Sequence, residues 1–160
     1  PLSINLSPYM LHDPKWADAI IDTLAAQRLP AQQLELEITE NAFIHEPDEA
    51  LQAMDRLRET GVRFSLDDFG IGYSSFEHLS RMPIHALKID KLFVQGLEHD
   101  PKCRAIVRSA LLLGEELGLE VVAEGVESES TRRLLLDMGC RLAQGFLLGF
   151  PGTPQALVRR

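Results

Sequence analysis

Hydrophobic and polar positions along the chain follow two alternating rhythms. Six short segments have the two-residue period of strands: "LSINLS" (2–7), "LELEIT" (34–39), "RFSLDD" (63–68), "ALKIDKLF" (86–93), "EVVAEGV" (120–126) and "LAQGFLLG" (142–149). Between them run stretches with helical spacing. Residues 13–29 place Trp16, Ile20 and Leu24 on one face, with Asp13 as N-cap and Pro14 at the first helical position. Residues 46–61 repeat the stripe with Leu51, Met54 and Leu57 and close at Gly61. Residues 74–82 form a short helix, opened by Ser74 and Ser75 and stopped by Pro83. Residues 100–118 and 129–139 form two more, each ending on glycine, and "TPQALVRR" begins another.

Strand and helix in strict alternation with short connectors mean parallel pairing through right-handed crossovers. An open doubly wound sheet and a (β/α)₈ barrel both fit. The nucleotide-binding version of the former carries a glycine-rich turn after an early strand, and "INLSPYM" offers none. A barrel collects its chemistry at the C-terminal ends of many strands, and this chain has that pattern. Leu2, Ile4 and Leu6 oppose Ser3, Asn5 and Ser7; Leu36 and Ile38 oppose Glu35 and Glu37; Phe64 and Leu66 oppose Ser65 and Asp67; Leu87 and Ile89 oppose Lys88 and Asp90. Val122 shares a face with Glu124, and Leu142 with Gln144. Each strand thus points one functional side chain inward near its C-terminal end: Asn5, Glu37, Asp67, Lys88, Glu124 and Gln144. Asp68, Glu40 and Glu127 follow where strands run into loops. Glu46 and Glu129 read instead as first-turn helix residues favoured by the helix dipole.

Carboxylates ~5 Å apart repel by roughly 3 kcal/mol per pair at an effective dielectric near 20. Lys88 alone is too little for Glu37, Asp67, Asp68 and Glu124, so either several of them are protonated or a further cation sits among them. Oxygen ligands without a matching histidine or cysteine set point to Mg²⁺ or Mn²⁺ rather than zinc. The histidines at 12, 45, 78, 85 and 99 fall in helices or loops without pairing and read as surface or capping residues. The four methionines read as packing, and no Ser/His/Asp set is evident.

Composition narrows the class. The 160 residues suffice for one domain, and a formal charge of −8 argues against DNA or an anionic membrane as partner through a basic face. Cys103 and Cys140 lie far apart and read as reduced thiols in a cytoplasmic domain. No apolar run approaches bilayer length. The chain opens on Pro1 inside a strand-like segment, and is expected to be a piece of a longer polypeptide that could itself be membrane-attached elsewhere.

The motifs "INLSP", "LELEITE", "SLDDFGIGYSSF", "LKIDKLFV", "VVAEGVE" and "AQGFLLGFP", in this order, resemble those of the EAL domain family, cyclic di-GMP phosphodiesterases built on a (β/α)₈ TIM-like barrel. The resemblance implies that residues 1–160 are the C-terminal portion of such a domain, a partial barrel of about six βα units without the Glu-Ala-Leu strand. Exposed strand edges would then favour association. It implies a two-metal Mg²⁺ or Mn²⁺ site held by Asn5, Glu37, Asp67, Asp68 and Glu124, with Asp67 bridging. Lys88 and Glu124 are implied as catalytic, Glu127 and Gln144 as substrate-binding, and Glu40 as steadying the loop after "DDFG". Ile71 stands where similar proteins often have Thr. The implied activity is hydrolysis of cyclic di-GMP to linear pGpG in bacterial signalling. The implied partners are a second copy, docked through residues 69–75, and upstream sensory or GGDEF-like domains. A non-catalytic cyclic di-GMP receptor is the alternative, and an enolase-type barrel a third reading reached without the family.

Overall fold

The computed structural model describes residues 2–11, 13, 15–40, 47–72 and 76–153. The expectations for His12, Pro14, His45, Glu46, Ser74, Ser75, the side chain of His78 and the helix after residue 153 lie outside them. Elements run β1 (Leu2–Asn5), α1 (Pro8–Leu11), α2 (Trp16–Gln27), β2 (Leu34–Thr39), α3 (Pro47–Thr60), β3 (Arg63–Phe69), α4 (Phe76–Arg81), β4 (Ala86–Ile89), α5 (Lys91–Gln95), α6 (Pro101–Leu117), β5 (Glu120–Ala123), α7 (Glu129–Asp137) and β6 (Leu142–Ala143). All six strands are parallel and adjacent in sequence order, giving a half-barrel with helices outside.

The two-residue period decides which side of each strand meets the helices. Leu36 and Ile38, Phe64 and Leu66 are buried on the outer face with Trp16, Met54 and Leu57 from α2 and α3. Leu87, Ile89 and Ala123 continue that layer against Val107 and Ala110 of α6 and Leu135 of α7. The open β1 side leaves Leu2 65% and Ile4 47% exposed.

Element ends differ from the periodicity where a local interaction stops the strand. The fourth strand ends at Ile89, because the Asp90 carboxylate accepts the Leu92 N–H at 2.7 Å and starts α5. The fifth ends at Ala123, and Gly125 turns the chain with φ +70. The sixth is only Leu142–Ala143. Gly145 there lies against the Val126 backbone, 2.2 Å from where a Cβ would stand, and the chain folds back through Leu147 N–H to Val126 O. Helix α2 begins at Trp16, while Asp13 accepts the Lys15 N–H in the preceding turn.

One connection is held by side chains. In the single tight turn Gly96–Glu98, Glu98 Oε1 accepts from Ser128 Oγ (2.8 Å), Ser130 Oγ (2.7 Å) and Thr131 Oγ1 (2.8 Å) at the start of α7. These hydrogen bonds hold the Glu98 carboxyl at about 2, below its ordinary 4.5. A carboxyl lowered on folding binds fewer protons than in the unfolded chain, so its contribution is complete above the unfolded value and lost as pH falls toward the folded one. The stability difference between the parent and Glu98→Gln, measured by denaturant unfolding, should therefore shrink as pH drops from about 4.5 to about 2.

Candidate functional site

Strand register puts the inward set side by side. Asn5 pairs with Glu37, Glu37 with Ser65 and Thr39 with Asp67. Ser65 pairs with Ala86, Lys88 with Val122 and Val122 with Leu142. Glu124 and Gln144 extend the last two strands by one step each, through Glu124 N–H to Ile89 O and Gln144 N–H to Ala123 O. The polar positions expected inside are therefore inside and in phase.

At the centre stands Lys88. Its Nζ lies 2.9 Å from Glu37 Oε1, 2.7 Å from Glu124 Oε1 and 3.3 Å from Asp67 Oδ1, so four strand ends meet at one ammonium. The Lys88 side chain is 8% exposed. Burial opposes its charge, but hydrogen bonds to Glu124 and Glu37 and the field of Asp67 outweigh it and raise the pKa. Glu124 is raised too, first by burial and then by Asp67 and Glu37, against the pull of Lys88. One ammonium against three carboxylates leaves a net charge of −2 in a partly desolvated space.

The remaining expected residues ring this cluster. Asp68, at φ +56, is exposed at the end of β3. Its pKa is raised by burial, then by Asp67 and by Asp90, with which it shares a hydrogen bond. Glu40 is buried, and its Oε1 accepts the Gly70 N–H at 3.1 Å. A Cβ at Gly72 would sit 2.2 Å from Glu40 Oε2, so this loop closes on Glu40 only with glycine there. Asn5 and Gln144 are exposed at the two flanks of the sheet. Glu127 is exposed on the loop after β5 and accepts from Gln95 Nε2 at 3.1 Å.

Among the described residues no three His, Cys, Asp or Glu side chains form a ready metal cage. The carboxylates expected to converge on metal do converge, but onto Lys88. Their chemistry still fits a hard divalent ion. The donors are oxygens, and Asp67 Oδ1 is buried without a hydrogen bond, its contact with Lys88 being charge alone.

Two groups were not anticipated. Asp90, 6% exposed, both caps α5 and faces Asp68; its phase with Lys88 was the available signal. His85 is not an unpaired surface residue: its Nε2 lies 3.3 Å from Glu35 Oε2, and burial lowers its pKa. With Arg63 and Glu120, 2.8 Å apart, this pair lines the inner face at the opposite strand ends. Glu35 lies 50 positions from His85, beyond any local pattern.

The family model for the EAL domain matches residues 1–151. The bifunctional diguanylate cyclase/cyclic di-GMP phosphodiesterase MucR of Pseudomonas aeruginosa is 39% identical over 157 residues, covering 98% of this chain and 23% of MucR. The solved phosphodiesterase of PaMucR in complex with c-di-GMP superposes with a TM-score of 0.91 at 39% identity, over 97% of this chain and 63% of that one. Klebsiella pneumoniae BlrP1, solved as a manganese/cy-diGMP complex, gives 0.82 at 37% identity, over 91% of this chain and 37% of that one. The chain spans about a fifth to a quarter of the length of the curated relatives it matches. No helix among the described residues is long and apolar enough to cross a membrane. A parallel half-barrel with its acidic residues in phase around one lysine, matched over nearly its whole length by the family model, makes this chain a member of the EAL domain family.

Proposed function

We propose that this chain carries the catalytic face of a metal-dependent phosphodiesterase that hydrolyses cyclic di-GMP to linear pGpG. The observation that carries the reading is the meeting of Glu37, Asp67 and Glu124 on Lys88 at one mouth of a parallel sheet. Relatives solved with that dinucleotide share its fold and 37–39% of its residues.

Asn5, Glu37, Asp67, Asp68 and Glu124 are the residues to hold two Mg²⁺ or Mn²⁺ ions. When bound, such ions lower the pKa of water toward neutrality and balance charge on the phosphoryl oxygens. Glu124, whose basicity burial raises, takes a proton from the attacking water. Lys88, fully charged, orients that water and offsets negative charge as the phosphorus–oxygen bond to the 3′ carbon breaks. The water oxygen becomes the new phosphate oxygen, and the leaving 3′ oxygen gains a proton. Glu127 and Gln144 face the nucleotide from the flanking loops, and Glu40 steadies the loop beyond Asp68. The same reading places a homodimer contact on that loop and a GGDEF-like domain in the complete protein, which acts in cytoplasmic signalling.

The intact protein supplied with Mg²⁺ or Mn²⁺ should convert cyclic di-GMP to pGpG, followed by chromatography, and Glu124→Gln should lose about a thousandfold or more of that rate while melting within a few degrees of the parent. Binding of cyclic di-GMP without cleavage by the parent would mark a receptor instead. Asp67→Asn should weaken Mn²⁺ binding at least tenfold by calorimetry; unchanged affinity would remove Asp67 from the ligand set.

A further inference from the structure

The loop that carries Glu127 is anchored on one side by buried Val126, whose N–H donates to Gln144 O and whose O accepts the Leu147 N–H, and on the other by α5 and the turn after it. Gly125 lies so close to α5 that a Cβ there would fall 2.4 Å from Lys91 Cβ. One turn further along α5, Gln95 Nε2 donates to Glu127 Oε1. Immediately beyond, Glu98 gathers three hydroxyls of residues 128–131 onto one carboxylate oxygen, while Ser128 Oγ also accepts the Thr131 N–H that opens α7. Asp90, two residues after Lys88, caps helix α5, which starts at Lys91. The segment from Lys91 to Glu98 therefore braces the exit of β5 at three successive places: Gly125, Glu127 and residues 128–131.

We propose that Glu98 is a positioning residue, which through Ser128, Ser130 and Thr131 holds the loop of Glu127 in the conformation that receives the cyclic dinucleotide. The inference rests on the phosphodiesterase reading above. The strand-borne cluster of Glu37, Asp67, Lys88 and Glu124 is built by sheet register and does not need Glu98. Glu127, by contrast, is an exposed side chain on a loop, and its ordering has to be supplied before the ligand arrives or at the ligand's expense. Glu98 thus acts on affinity more than on the bond-breaking step.

The test compares the intact protein with Glu98→Ala and Glu98→Gln. Glu98→Ala should raise KM for cyclic di-GMP by about tenfold and leave kcat within about twofold. Titration in a Glu124→Gln background, well below the melting transition, should show the same rise in Kd. Glu98→Gln keeps an acceptor oxygen and should recover most of the loss. Amide hydrogen exchange at residues 125–128, read without ligand, should quicken in Glu98→Ala. Should that variant fail to fold, Gln95→Leu, which leaves the α7 cap intact, is expected to raise Kd in the same sense. A fall in kcat at unchanged KM, or Kd and exchange equal to the parent's, overturns the positioning role alone. A parent that does not bind cyclic di-GMP overturns the functional reading, and the ligand half of this inference with it.

Discussion

The ammonium of Lys88 is what allows this half-barrel to bring its acidic residues together. Three strand ends deliver a carboxylate to the same mouth, Glu37 and Asp67 through the register of β2 with β3 and Glu124 through its N–H bonded to Ile89 O. Without the positive charge of β4 between them, their mutual repulsion would act in a partly desolvated space, where it is stronger than in water. Lys88 reduces that repulsion without cancelling it. The residual negative charge is what divalent ions would offset in the function proposed for this mouth.

Everything around the cluster restricts its movement. The outer face is packed by aliphatic and aromatic side chains from α2, α3, α6 and α7, so the strands cannot slide without breaking a close-packed layer. At the far end of the inner face stand the Glu35–His85 pair and the solvent-exposed Arg63–Glu120 pair. The Lys88 cluster lies at the C-terminal ends of the strands, the side on which the loops bearing Asp68, Asp90 and Glu127 also emerge.

Much of this was legible in the pattern of residues. A strand's alternation is dictated by its own geometry, so the phase of Asn5, Glu37, Asp67, Lys88, Glu124 and Gln144 could be read position by position, and register confirms it. The strand ends were less legible. Ile89 is followed by residues apolar enough to continue, and only the Asp90 side chain bonded back to Leu92 stops them. Residues 144–149 read as strand until Gly145 meets the Val126 backbone, a contact between segments 19 positions apart. The charge count foretold crowding at the mouth but not its resolution, because it does not say which carboxylates come within reach of one lysine. Glu98 with its three hydroxyls was invisible for the same reason.

The most direct test of the account is the thermal and denaturant stability of Lys88→Met at neutral pH, with and without millimolar Mn²⁺. Leaving the three carboxylates without their central ammonium should cost about 3–5 kcal/mol, and Mn²⁺ should restore a large part of it. A Lys88→Met protein as stable as the parent in the absence of metal would contradict the account, since the acidic residues would then be held together by something other than Lys88.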